Sequence, residues 1–178
     1  MNVPNSITFV RIILVPIMLY FLIEGDNLSA LIVFSIAALS DGLDGLFAKL
    51  LDQKTRLGAF LDPIADKFLL STSFIALAIL GLAPTWLAIM AVSRDLLIIT
   101  GIGILAWDKD FPAIRPTIDG KITTFLQVLT IVFLLGHQYT SLYQWLYYPL
   151  ITATGLFTAV SGTRYMLIGF RLLSDENK

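Results

Sequence analysis

Long apolar runs alternate with short polar breaks along the whole chain. A membrane-spanning helix needs about 20 mostly apolar residues, and six runs approach that length. They predict helices at roughly Ile7–Ile23, Leu28–Leu46, Ile64–Leu80, Thr85–Trp107, Ile122–Leu135 and Leu146–Phe170. The fifth is the shortest and is expected to start or end in the interface. Turn and breaker residues separate the runs at Glu24 to Asn27, Gly81 to Pro84, and Phe111 through Pro116. No internal repeat or low-complexity tract is visible. The pattern therefore predicts an all-α fold, a polytopic membrane bundle of six transmembrane helices, forming one domain over residues 1–178.

Composition changes the picture only by strengthening it. The chain is 57% hydrophobic and 14% charged, with mean hydropathy +0.82. Soluble domains carry about 45–50% apolar and about 25% charged residues, so lipid is the expected solvent. A net charge of −1 gives no reason to expect nucleic acid. The absence of Cys excludes a disulfide, a thiolate metal site and a Cys nucleophile, and a single His, His137, excludes a multi-histidine metal site within one chain. The stretch before Arg11 has no basic residue, and Glu24-Gly25-Asp26-Asn27 is no cleavage site, so the first run reads as a retained helix rather than a signal peptide.

Basic residues orient the bundle, because cytoplasmic loops are enriched in Lys and Arg. The breaks near 24–27, 81–84 and 136–145 have none. The segment at 49–63 holds Lys49, Lys54 and Arg56, and that at 108–121 holds Lys109, Arg115 and Lys121. Arg11 lies near one terminus, Arg171 and Lys178 near the other. Six spans with both termini in the cytoplasm satisfy this without exception. The expected location is a bacterial inner membrane, or the matrix side of an organellar one. His137 then falls on the non-cytoplasmic side and has no expected catalytic role. Trp86, Trp145, Tyr147 and Tyr148 form an expected aromatic belt there.

Ionisable groups inside apolar spans cost several kcal/mol unless paired or hydrated, and so point to function. Asp41 and Asp44 are three apart at the end of the second run, and Asp62 and Asp66 are four apart at the start of the third, with a loop of about 17 residues expected between the pairs. Helical spacings of three and four put side chains on one face, so the pairs can converge across a helix hairpin. Four adjacent carboxylates require cations, and all-oxygen ligation suits Mg²⁺ or Mn²⁺. Gly45, Ala48 and Gly58 leave space beside the acids. Close helix packing alone explains such residues, but beside four acids they fit substrate access.

The run DGLDGLFAKLLDQKTRLGAFLDPIAD, Asp41 to Asp66, resembles the signature D-x2-D-G-x2-A-R-x8-G-x3-D-x3-D of the CDP-alcohol phosphatidyltransferases. Every spacing agrees, and seven of the eight fixed residues agree. Lys49 stands where that family usually has Arg, keeping the charge but losing the planar fork. VPNSITFVRI, SRD at Ser93–Asp95 and GKITTFLQ at Gly120–Gln127 extend the resemblance toward the phosphatidylglycerophosphate synthase and CMP-forming cardiolipin synthase branch.

The resemblance implies transfer of the phosphatidyl group of CDP-diacylglycerol to an alcohol, with release of CMP, at a cytoplasmic-side site in a homodimer. It implies two divalent ions on Asp41, Asp44, Asp62 and Asp66, with Asp66 also the general base. Gly45, Ala48, Lys49 and Gly58 would receive the nucleotide diphosphate. Arg94 needs an anion inside its span: Asp95 is the structural candidate, an acceptor phosphate the functional one. Lys121 is a cytoplasmic-side anchor or a second phosphate contact, and Arg11 a headgroup anchor or a substrate contact. Arg164, deep in the last run, has no partner assignable from sequence. Phosphatidylglycerophosphate synthases place a second Arg eight residues after the one matching Arg94. Here Ile102 occupies that position, which favours phosphatidylglycerol as acceptor over glycerol 3-phosphate. An ion-coupled transporter is the competing class, but transporters place their charged sites near the midplane on broken helices.

Overall fold

A computed structural model describes the backbone of residues 3–50, 56–107, 117–136 and 143–175, and the side chains of residues 9–40, 64–101, 117–136 and 145–169. The described residues form six helices: α1 (Val3–Ile23), α2 (Asn27–Leu50), α3 (Arg56–Ile79), α4 (Thr85–Trp107), α5 (Ile118–Gly136) and α6 (Tyr143–Asp175). All six predicted helices are present, and α4 has the predicted bounds. His137 lies outside the described residues.

Helix ends explain the remaining differences. α1 stops where Gly25 takes φ 79°, and the Asp26 N–H donates to the Phe21 carbonyl at 2.9 Å. α3 stops in the same way at Gly81, φ 72°, with the Leu82 N–H on the Leu77 carbonyl at 2.8 Å. Glycine reaches this left-handed conformation without a Cβ penalty and closes the last turn. Asp26 caps α2, accepting from the Ser29 N–H at 3.0 Å and the Ser29 hydroxyl at 2.5 Å. Those hydrogen bonds hold its carboxyl below the ordinary value of 3.8. α5 begins four residues before the predicted start because Thr117 caps it. The Thr117 Oγ1 accepts from the Gly120 N–H at 3.2 Å, and its carbonyl accepts from the Lys121 N–H.

The loop expected between the two Asp pairs is mostly helix. α2 runs on to Leu50 and α3 starts at Arg56, so Lys49 and Arg56 are helical, and Asp62 sits about one and a half turns into α3. The polar residues there satisfy helical hydrogen bonding as well as apolar ones do, which a hydropathy pattern does not register.

α1 pairs most extensively with α2 and also packs on α3. α3 packs on α4, α4 and α5 on α6, and α5 on α2 and α3. Met18, Leu22, Phe34, Leu69, Phe74, Leu77, Leu87, Ile131 and Leu135 fill the core. A polar seam joins α5 to α6, where Thr130 and Thr154 share a 2.7 Å hydrogen bond and Thr123 donates to the Phe157 carbonyl at 3.0 Å. Outside, large apolar side chains remain exposed on every helix, among them Ile13, Leu39, Ile79, Ile89, Phe125 and Leu156. Among the described residues, α5 is the one helix both long and apolar enough to cross a membrane, with shorter apolar stretches at Phe9–Ile23 and Asn27–Ser40.

Candidate active site

Asp41, Asp44, Gly45, Ala48 and Lys49 lie on the last turns of α2, and Gly58, Asp62 and Asp66 on the first half of α3. The helical backbone supplies the three- and four-residue spacings that put each Asp pair on one face, and α2 packs against α3. Of these eight residues, the described side chain is that of Asp66. It is 21% exposed, open enough to meet a ligand. Hard carboxylate oxygens on two packed helices are a donor set that fits Mg²⁺ or Mn²⁺. Among the described residues alone, no three His, Cys, Asp or Glu form a cluster.

The described half of this region is a buried ion network that starts at Asp66. Lys67 Nζ lies 3.7 Å from Asp66 Oδ2 and 3.2 Å from Asp95 Oδ1, and donates to Thr124 Oγ1 at 3.4 Å. Asp95 Oδ1 also accepts from Arg94 Nη1 at 2.7 Å. Arg94 continues outward, with Nε and Nη2 on Ser161 Oγ at 3.3 and 3.2 Å, and Nη2 on the Gly120 carbonyl at 3.2 Å. Tyr165 stacks beside its guanidinium, 5.8 Å from the ring centroid. The network ties α3, α4, α5 and α6 together.

Arg94 is 3% exposed, and the partner proposed on structural grounds, Asp95, is the one it has. Three further contacts, two on Ser161 Oγ and one on the Gly120 carbonyl, bring the engaged N–H groups to four of the five a guanidinium has. Lys121, one residue beyond Gly120, is exposed at the start of α5. Arg11 is buried on α1, which takes it off the outer surface that a headgroup anchor would occupy. Arg164 pairs with Asp119 in the first turn of α5. α6 runs on to Asp175, so Arg164 stays well inside its helix, level with the capped end of α5, and Asp119 is the partner that sequence alone does not assign.

Sequence reasoning does not single out Lys67. A usable signal was present, because a lysine directly after Asp66, inside the run IADKFLLSTSF, must find a counter-charge. A separate groove of about 480 Å³ between α3 and α4, lined by Ile75, Ile79, Ala88, Ile89 and Val92, lies toward the far end of α3 and has no charged residue.

The chain is similar to known proteins over most of its length. Residues 1–160 match the family description "CDP-alcohol phosphatidyltransferase". The chain is 33% identical over 196 residues to the CDP-diacylglycerol–glycerol-3-phosphate 3-phosphatidyltransferase of Bacillus subtilis, covering 99% of both proteins. It is 35% identical over 184 residues to the protein of the same name in Aquifex aeolicus, covering 99% of this chain and all of that protein. The human cardiolipin synthase (CMP-forming) is 32% identical over 147 residues, which cover 73% of this chain and 48% of that protein. A match over most of the chain, with relatives above 30% identity from end to end, means that this chain belongs to the CDP-alcohol phosphatidyltransferase family of transferases.

Proposed function

We propose that this protein transfers the phosphatidyl group of CDP-diacylglycerol to phosphatidylglycerol, forming cardiolipin and CMP, as one integral-membrane domain over residues 1–178. Members of the family are membrane-bound and in general depend on divalent metal. The exposed apolar side chains on all six helices support six spans in a bilayer, since soluble monomers rarely expose large contiguous apolar surface. The distribution of Lys and Arg supports cytoplasmic termini and a cytoplasmic-side site, and Trp145, 83% exposed, with Tyr148 and Trp86 suits the opposite interface. The working unit on this reading is a homodimer.

In the mechanism, Asp41, Asp44, Asp62 and Asp66 would hold Mg²⁺ or Mn²⁺, which when bound would supply positive charge to the diphosphate and the transferring group. Gly45, Ala48 and Gly58 leave room for the cytidine nucleotide, and Lys49 contributes a positive charge to the diphosphate. The acceptor hydroxyl loses its proton to the Asp66 carboxylate. Its oxygen bonds to the phosphorus that carries diacylglycerol, the bond from that phosphorus to the bridging oxygen breaks, and CMP leaves. Lys121 and Arg11 contribute charge toward the acceptor phosphate, and Arg94 holds that part of the site in place.

The observation that carries the choice of acceptor is the state of Arg94. Its guanidinium is buried and already engaged by Asp95, Ser161 and Gly120, and Ile102 stands where a second Arg would be. A dianionic soluble phosphate needs more charge than this, whereas a lipid monoanion brings its own apolar anchoring. Glycerol 3-phosphate is the second reading, favoured by the two relatives that match end to end and carry that acceptor in their names. Product analysis with labelled CDP-diacylglycerol and each acceptor supplied separately decides it. Cardiolipin should dominate; phosphatidylglycerophosphate from glycerol 3-phosphate, with no cardiolipin, would establish the second reading.

A further inference from the structure

Asp66 and Lys67 are neighbours on α3, so their side chains leave the helix about 100° apart. Asp66 lies on the face it shares with Asp62, four residues before it. Lys67 turns into the bundle, where it is 8% exposed. A buried ammonium needs fixed counter-charges, and Lys67 has two. They are Asp95 on α4 at 3.2 Å and Asp66 at 3.7 Å. Asp95 cannot follow Asp66 if that carboxylate moves, because Arg94 grips it at 2.7 Å and is itself held by α5 and α6. The ammonium is therefore a fixed point, set by three other helices, against which one Asp66 oxygen rests.

We infer that Lys67 is a positioning residue for Asp66, with Asp95 as its anchor. This rests on the reading of Asp66 as the base. A carboxylate in a cluster of four acids is pushed by its neighbours, and a cation on its inner side holds it in one orientation without occupying the face that meets substrate. Misplacing a reacting group by about 1 Å can cost on the order of 10²-fold in rate, so the position of Asp66 matters more than its mere presence.

The test uses the purified full chain and measures kcat and KM for CDP-diacylglycerol per folded protein, with the folded fraction taken from gel filtration. Lys67→Met should lower kcat about 10- to 100-fold while KM stays within about threefold. Lys67→Arg, which keeps the charge, should recover most of the loss. In an Asp66→Asn background, Lys67→Met should add no more than about twofold, because a residue that acts through Asp66 has nothing left to position. If Lys67→Met fails to fold, Asp95→Asn replaces it and should show the same split between kcat and KM. A kcat for Lys67→Met within about threefold of wild type, or a full further loss in the Asp66→Asn background, would overturn the inference while leaving Asp66 as base. Wild-type turnover by Asp66→Asn would remove the base itself, and the inference with it.

Discussion

Gly120 sits where α5 meets the guanidinium of Arg94, and Gly120→Ala tests that junction. A Cβ there would lie 2.9 Å from the Tyr165 hydroxyl, 3.1 Å from Thr117 Oγ1 and 3.4 Å from Arg94 Nη2. The first distance forces a shift, and the other two involve the atoms that cap α5 and hold its carbonyl. Overpacking of this kind costs about 1–3 kcal/mol, partly offset by up to about 1 kcal/mol from the better helix propensity of Ala. The net is a loss of about 1 kcal/mol, or a Tm lower by roughly 2–4 °C for a chain of this size. Gly101→Ala is the matched control, because no atom of the described residues lies within 4 Å of its Cβ position. There only the propensity gain remains, so Tm should rise by a similar amount. Thermal unfolding in detergent, followed by loss of the gel-filtration peak, separates the two variants. Tyr165→Phe removes the nearest atom and should restore part of the Gly120→Ala loss. A Tm for Gly120→Ala at or above wild type, or no help from Tyr165→Phe, would refute the close packing of α5 on α6 at Arg94.

Asp66→Asn should keep divalent-ion binding better than Asp44→Asn while losing turnover, because a base matters to chemistry more than to ligation; calorimetric titration with Mn²⁺ showing equal loss from both would erase that division of roles. Ile102→Arg should move the product ratio toward phosphatidylglycerophosphate in the two-acceptor assay, and an unchanged ratio would show that position 102 does not select the acceptor. Asp26, hydrogen-bonded by Ser29, should titrate below 3.8. Its folded value is depressed, so its contribution to stability is present above the unfolded value and is lost as pH falls through the folded one. Asp26→Asn keeps the cap and should remove that part of the acid sensitivity of α2, as seen by helicity at pH 3 against pH 7.

Hydropathy made the six helices legible because a bilayer-length run needs only composition to be recognised. The two Asp pairs were legible because helical spacing is a property of sequence. Arg94 with Asp95 was also legible, being adjacent residues in an apolar run. Arg164 with Asp119 was not, since 45 residues separate them and only the packing of α6 on α5 brings them together. The role of Lys67 as a link between Asp66 and Asp95 was hidden for the same reason. The early start of α5 was missed because a cap satisfies polar residues that hydropathy assigns to a loop. Thr123, Gln127 and Thr130, with Thr154, Thr158 and Ser161, recur at spacings of three and four. That pattern marks a polar seam as clearly as it would an apolar one.

The reaction proposed for this protein is metal-assisted phosphatidyl transfer at the four aspartates. Its most direct measurement is CMP release from CDP-diacylglycerol by the purified protein, with acceptor present and Mg²⁺ or Mn²⁺ either supplied or removed by excess chelator. CMP formation should need both acceptor and divalent ion, stop on chelation, and return when the ion is restored. Undiminished CMP formation in excess chelator, or none under any condition from protein that is folded, would contradict it.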